Sequence, residues 1–228
     1  MSSIKVKDSA EQIEVMNVFC VGKNYVDHIN EMNVSGIANE IPETPVIFLK
    51  PSTAIETVGD VVKVPVLNGK PISNNLQNEV ELVIVIGMDG DDIPEEKALE
   101  YIYGYAVGID FTLRDLQNEM KKTGKPWAVA KGFKTSSPVS EIVKIENIKN
   151  VQDLSIKLSV NGEEKQSANT KLMIFSVKFI VHYLSSIFGL RKGDIIFTGT
   201  PAGVTQLKTG YKVSAEIQDI GNLNVTIG

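Results

Sequence analysis

Residues 78–87, NEVELVIVIG, constrain the fold more than any other part of the chain. Apart from two glutamates the run is mostly Val, Ile and Leu, and it reads as a strand. Side chains alternate along a strand, so Glu79, Glu81, Val83 and Val85 share one face and Val80, Leu82, Ile84 and Ile86 the other. A strand with one wet face keeps that face polar to its end. Here the glutamate face turns apolar after two residues, so both faces need cover. Two carboxylates then sit at the mouth of a core, roughly 6.5–7 Å apart. Like charges in that position are unfavourable unless something positive lies between them.

Composition narrows the rest. A chain of 228 residues, 43% hydrophobic and 22% charged, has ample core for one large domain or two small ones. The formal net charge of -5 and the absence of basic clusters argue against a nucleic-acid partner. A single cysteine, Cys20, permits no intrachain disulfide and suits a reducing compartment. The polar start, MSSIKVKDSAEQ, lacks the apolar region of a signal peptide. The apolar stretches are too short to span a bilayer. The expectation is a cytoplasmic protein with no membrane partner. With only His28 and His182, a histidine-rich zinc site is excluded.

Strand-like runs recur along the chain: residues 15–22, VIFLKP, DVVKVPV with a break at Pro65, YAVGID ending at Asp110, and DIIFTGTPAGV. LSIKLSVNGEEKQSA predicts a hairpin turning at Asn161-Gly162, and the last 18 residues predict another. A short helix or turn is expected in VDHINEM, and helices from Pro94 in residues 93–104, in TLRDLQNEMKKTG and in FSVKFIVHYLSSIFG. In the third, Thr112 and Asp115 have the N-cap and N3 spacing of a capping-box variant, with Gly124 as the stop. Strands outnumber helices without alternating with them, so the class is α+β with a large, mostly antiparallel sheet system.

Several residues are candidates for chemistry. Glu79 and Glu81 can converge on one cation, and carboxylate-only ligation selects hard ions such as Mg²⁺ or Mn²⁺. They equally fit solvated acids where a strand emerges. Asp110, at a strand end, fits a turn residue or a third ligand. Arg114 and Gln117 share a helix face opposite Leu113, Leu116 and Met120, and fit either a solvated face or an anion clamp. His28 and Glu31, three apart in DHINEM, touch if that turn is helical, and a carboxylate there would raise the imidazole's basicity. His182 sits mid-helix among apolar residues and reads as packed or interfacial. Lys131 follows a short apolar run. TGTPAGV, residues 198–204, is either a plain Gly/Pro turn or a nest of N–H groups for an anion.

Taken in order, CVGKNYVDHINEM, VIFLKPSTA, NEVELVIVIG, GYAVGIDFTLRDLQ, PWAVAKGFKTSSPV, MIFS and LRKGDIIFTGTPAGV resemble the fumarylacetoacetate hydrolase family, especially its small single-domain acylpyruvate hydrolases and oxaloacetate decarboxylases. The resemblance implies a rolled, mixed β-sandwich with few helices, usually a homodimer. It implies one catalytic domain over residues 1–228, with an N-terminal extension over 1–15 and a mobile lid over about 27–45. It implies Glu79, Glu81 and Asp110 as ligands of Mg²⁺ or Mn²⁺, and His28 and Glu31 as an acid/base pair on the lid. Lys131 would stabilise a developing oxyanion. Lys23, Arg114, Gln117 and Thr200 would hold the 2-oxo-acid end of a small substrate. The implied reaction is C–C cleavage of an acylpyruvate-type acid through a metal-stabilised enolate. Decarboxylation of oxaloacetate, keto–enol tautomerisation and double-bond isomerisation are alternatives, and a catalytically idle binding module is the rival of another class. Two departures stand out. No acid lies between Glu14 and Asp27, where larger members have a fourth ligand. Lys23 replaces an arginine of some relatives, which removes a bidentate fork.

Overall fold

The computed structural model describes residues 2–32, 40–57 and 61–228. Its centre is a rolled, mixed sheet of eight strands. In spatial order these are Val46–Lys50, Val18–Gly22, Ile195–Phe197, Val80–Ile86, Ile102–Ile109, Ser137–Val139 and Ile55–Thr57, with Val143–Lys144 also paired to Ile102–Ile109. Ile195–Phe197 runs parallel to Val18–Gly22, and Ser137–Val139 parallel to Ile55–Thr57; the other pairs are antiparallel. A second, five-stranded sheet is ordered Glu163–Asn169, Ser155–Val160, Lys212–Ile217, Gly221–Ile227 and Val61–Val62. Both expected hairpins are there, the first turning at Asn161 and Gly162. Among the described residues helices are few: α1 (Val26–Met32), α2 (Arg114–Thr123), α3 (Ala128–Lys131) and α4 (Val177–Phe188), besides short 3-10 turns.

The Val80–Ile86 strand is buried along its whole length. Its two faces feed two cores. Leu82, Ile84 and Ile86 join Ile156, Leu158, Val213, Ala215 and Leu223 of the five-stranded sheet and Ile180, Val181 and Leu184 of α4. Val83 and Val85 face the opposite way, onto Val18, Cys20, Phe197 and a small N-terminal hairpin. That hairpin pairs Ser3–Lys5 with Gln12–Glu14 and buries Ile4, Val6, Ile13 and Val15. Period-2 alternation with both faces apolar thus produces a strand sandwiched between layers. Opposite Glu81 the neighbouring strand has Gly108, where a Cβ would lie 2.5 Å from Val83 Cγ2 and 2.6 Å from Phe197 Cε1. Only glycine lets the strands pack this closely beside the carboxylates.

Two local expectations are corrected. Thr112 is not an N-cap. It belongs to a short strand pair with Gln77, and α2 begins at Arg114 without a side-chain cap. Asp115 instead accepts hydrogen bonds from Ser73 Oγ and the Asn74 backbone N–H, which pins the helix start to a loop 42 residues earlier. The helix expected from Pro94 is a 3-10 helix, Glu95–Tyr101, with Pro94 at its N-cap. Gly124 does end α2, in the left-handed conformation. Of the segment expected to be a lid, residues 33–39 lie outside the described residues, and its first part is α1.

The strand leading to α1 is tied down by Asn24. Its Nδ2 donates to Thr198 O at 2.7 Å and Phe175 O at 3.1 Å, and its Oδ1 accepts from Phe175 N at 2.7 Å. Asn24 is fully buried, so truncation strands several polar groups without water. Asn24→Ala is expected to destabilise the fold by about 2–4 kcal/mol, read from the urea midpoint. A shift within error would show that the groups find other partners.

Candidate active site

Glu79 leads into the buried strand, Glu81 lies within it, and Asp110 follows the next strand, Ile102–Ile109. Antiparallel register sets Val80 opposite Ile109, and the Asp110 N–H donates to Glu79 O at 2.8 Å. Register therefore brings the three acids to one sheet end. Each offers a carboxylate oxygen within 4.8 Å of the others, and all three residues are buried.

Positive charge compensates them. Lys131, at the end of α3, reaches between two of the acids, with Nζ 2.6 Å from Glu79 Oε2 and 2.7 Å from Asp110 Oδ2. Arg114 Nη2 donates to Glu79 Oε1, while its Nε donates to Gln77 Oε1 at 2.7 Å and its Nη1 to Gln117 Oε1 at 2.5 Å. Arg114 and Gln117 thus lie on a buried face of α2 and hold Glu79 in place. Leu116 and Met120, expected as the core stripe, are only partly buried.

The charges set the acids apart. Burial pushes the Glu79 carboxyl up, but Lys131 and Arg114 overcome it and hold the group well below the usual range. Burial and the nearby Asp110 and Glu79 charges push Glu81 well above it. Burial works against the Lys131 ammonium, yet Asp110 and Glu79 raise its pKa above the ordinary lysine value. Glu81 Oε2 accepts one hydrogen bond, from Gly199 N at 2.7 Å. Gly199 adopts φ +99°, and a Cβ there would lie 2.7 Å from Asn24 Cβ. The Gly/Pro turn must present a bare backbone N–H at that point.

The turn is indeed an N–H nest, but the anions it holds are the chain's own. Gly203 N donates to both carboxylate oxygens of Glu31, at 3.0 and 3.2 Å. His28 Nδ1 lies 3.2 Å from Glu31 Oε2 on α1, so of the two readings, helix or turn, the helix holds. Burial raises the Glu31 pKa, but the His28 contact and the Gly203 N–H outweigh it and hold Glu31 ionised. With Nδ1 turned to Glu31, His28 Nε2 has no hydrogen-bond partner among the described residues.

His28, Lys23, Thr200, Glu81 and Lys131 all line one pocket of about 50 Å³, together with Lys121 and Trp127. Every residue expected at the site lies in or beside this pocket except Glu31, which stands behind His28. Lys23 takes φ 60°, a left-handed turn after the Val18–Gly22 strand. Thr200 Oγ1 accepts from Gln166 Nε2 at 2.8 Å, while Gln166 Oε1 accepts from Val80 N at 3.0 Å and Asn78 Nδ2 at 2.9 Å. Gln166 so fastens the Thr200 turn to the glutamate strand. His182 is outside the site, its Nδ1 2.7 Å from Ile93 O.

Sequence reasoning missed Lys50, Gln77, Gln166 and Lys121. Lys50 Nζ lies 2.6 Å from Asp110 Oδ1, with both side chains fully buried. Its signal was the one that marked Lys131, a lysine closing an apolar run. Lys121 lies over the Trp127 ring at 5.3 Å, and burial and the Arg114 charge lower its pKa to about 8.

The donor set fits a hard divalent cation. All three candidate ligands are carboxylates and their oxygens converge.

Comparison with known proteins agrees with this geometry. Residues 17–228 match the fumarylacetoacetate (FAA) hydrolase C-terminal family. The chain belongs to that family. A Mus musculus protein named oxaloacetate tautomerase FAHD1, mitochondrial, is 43% identical over 211 residues, covering 92% of this chain and 91% of that protein. An Arabidopsis thaliana protein of the same name is 40% identical over 210 residues, with 92% and 90% covered. A crystal structure of fumarylpyruvate hydrolase from Pseudomonas aeruginosa, in complex with Mn²⁺ and pyruvate, superposes with a TM-score of 0.90. It is 36% identical, and 99% of this chain and 95% of that one are covered. The family membership and the rolled sheet are as the sequence motifs implied. Among the described residues no helix is long and apolar enough to cross a membrane.

Proposed function

We propose that this chain cleaves a C–C bond in short acylpyruvate-type 2-oxo acids by way of the enolate, with Mg²⁺ or Mn²⁺ held by Glu79, Glu81 and Asp110. The observation that carries the reading is the convergence of three buried carboxylates in one pocket that the His28 imidazole also lines. When bound, the cation supplies the Lewis acidity that favours enolate formation. Lys131 adds fixed positive charge where negative charge develops. Lys23 and Thr200 hold the carboxylate end of the substrate, while Arg114 and Gln117 act by fixing Glu79. Glu31 sets the tautomer of His28, leaving Nε2 to take a proton from water as it attacks the distal carbonyl. When the bond breaks the acyl part leaves as its carboxylic acid, the enolate takes a proton from solvent to give pyruvate, and His28 gives its proton back to solvent.

A second reading is keto–enol tautomerisation of oxaloacetate, favoured by the 43% identity to the mouse tautomerase. It uses the same pocket, with His28 moving a proton and no water consumed. The experiment is turnover of acetylpyruvate and of enol-oxaloacetate with Mg²⁺, repeated after EDTA. Cleavage of acetylpyruvate that EDTA abolishes supports the first reading. Oxaloacetate tautomerisation alone supports the second. No turnover of either would leave a binding module and overturn both.

The chain is one catalytic domain in this reading, with residues 1–15 as an extension and 27–45 as a lid over the pocket. Exposed Ile187 and Phe188 at the end of α4 suit a homodimer contact, which light scattering after gel filtration would test. A free buried cysteine suits a reducing compartment, and cytoplasmic location is the reading for this chain, although the tautomerase relatives carry "mitochondrial" in their names. Cell fractionation would decide it.

A further inference from the structure

Lys50 is the best-buried cation of the site and lies behind the pocket. Its ammonium sits 2.6 Å from Asp110 Oδ1. On its other side Ser136 fixes it, through the carbonyl at 3.3 Å and Oγ at 3.2 Å. Ser136 Oγ also donates to Lys131 O at 2.9 Å, so one serine braces both lysines that flank Asp110.

Consider the formal charges with all three acids ionised, as ligation requires. Glu79, Glu81 and Asp110 are equalled in number by Lys50, Lys131 and Arg114, whose described contacts fall on Glu79 and Asp110 rather than on Glu81. A divalent cation among them therefore finds no net negative charge. Its double charge remains for a ligand to balance, and in a buried site that imbalance weighs heavily. The enolate of a 2-oxo acid, with its carboxylate, carries a matching double negative charge; the keto form carries one less.

The geometry points to Lys50 as a positioning residue that withholds one unit of compensation from the cation, so that the cation and a dianionic ligand strengthen each other's binding. The inference rests on the reading of Glu79, Glu81 and Asp110 as a metal site. It makes a sign-specific claim. Without Lys50 the cluster gains a net negative charge. The cation alone should then bind more tightly and the dianion less tightly. A lysine that merely supported the local structure would weaken both when removed.

The test is Mn²⁺ binding, followed by the electron paramagnetic resonance signal of the free ion, with and without oxalate as the dianion. In wild type, oxalate should tighten Mn²⁺ binding by about tenfold or more. Lys50→Met should bind Mn²⁺ alone about tenfold more tightly and, at a fixed oxalate concentration that half-saturates wild type, lose most of the oxalate effect because the dianion binds less tightly, while Lys50→Arg stays within about threefold of wild type. A wild type that takes up no Mn²⁺ overturns the metal site itself. A wild type that binds Mn²⁺ with a Lys50→Met that binds it more weakly overturns the role of Lys50 alone. If Lys50→Met does not fold, wild type decides the matter. Oxalate must then enhance Mn²⁺ binding about tenfold more than the monoanion pyruvate does, and equal enhancement overturns the inference.

Discussion

Glu81→Gln is expected to lower turnover of every substrate by about 10³-fold or more while making the metal-free protein more stable. The two effects share one cause. Burial and the Asp110 and Glu79 charges press on the Glu81 carboxyl, so a neutral isostere relieves repulsion in the folded state. Glutamine keeps an oxygen for the Gly199 N–H, so the strand and the turn stay joined. The gain in stability should be about 1–2 kcal/mol. The loss of turnover follows because enolate chemistry depends on the cation, and an amide is a poor substitute for a carboxylate ligand. Urea midpoints measured in EDTA and steady-state rates at saturating Mg²⁺ give the two numbers. Activity within tenfold of wild type would sink the assignment of Glu81 as a ligand. A fall in both quantities would show instead that Glu81 is a structural acid.

The second large effect separates reactions. Hydrolysis needs an activated water, whereas decarboxylation of a 2-oxo acid needs chiefly an electron sink. His28→Ala should therefore reduce acylpyruvate hydrolysis by about 10²–10⁴-fold and oxaloacetate decarboxylation much less. Glu31→Gln should reproduce part of the loss, because Gly203 N and His28 would meet a neutral amide in place of the carboxylate. The comparison is made on one preparation at saturating Mg²⁺, so that weakened metal binding does not pass for lost chemistry. Equal losses in both reactions would mean that His28 serves a shared step, such as protonating the enolate carbon.

How far the sequence carried depended on the range of each interaction. The central strand was legible because period-2 alternation is written in adjacent residues. Its glutamates raised the question of a positive partner, and Lys131 between Glu79 and Asp110 is the answer. His28 and Glu31 were legible because one helical turn joins them. What failed was whatever depended on a distant partner. Asp115 looked like a cap residue until Ser73 and Asn74 claimed it. Arg114 fitted a solvated face or an anion clamp, and its bonds to Gln77 and Glu79 were not legible. Lys50 closes an apolar run as Lys131 does, but nothing in that run named Asp110 as the partner it would meet. The motif resemblance brought the site residues together; it did not reveal which of them grip one another.

The N-terminal hairpin has a bearing on how chains of this kind diverge. The family match begins at residue 17, yet Ile4, Val6, Ile13 and Val15 form the rear wall against which Val83 and Val85 rest. A chain of this fold without such a hairpin would leave part of that face of the central strand uncovered. Sequence drift in an outlying segment thereby acts on the stiffness of the carboxylate cluster from behind, without touching a residue that meets substrate.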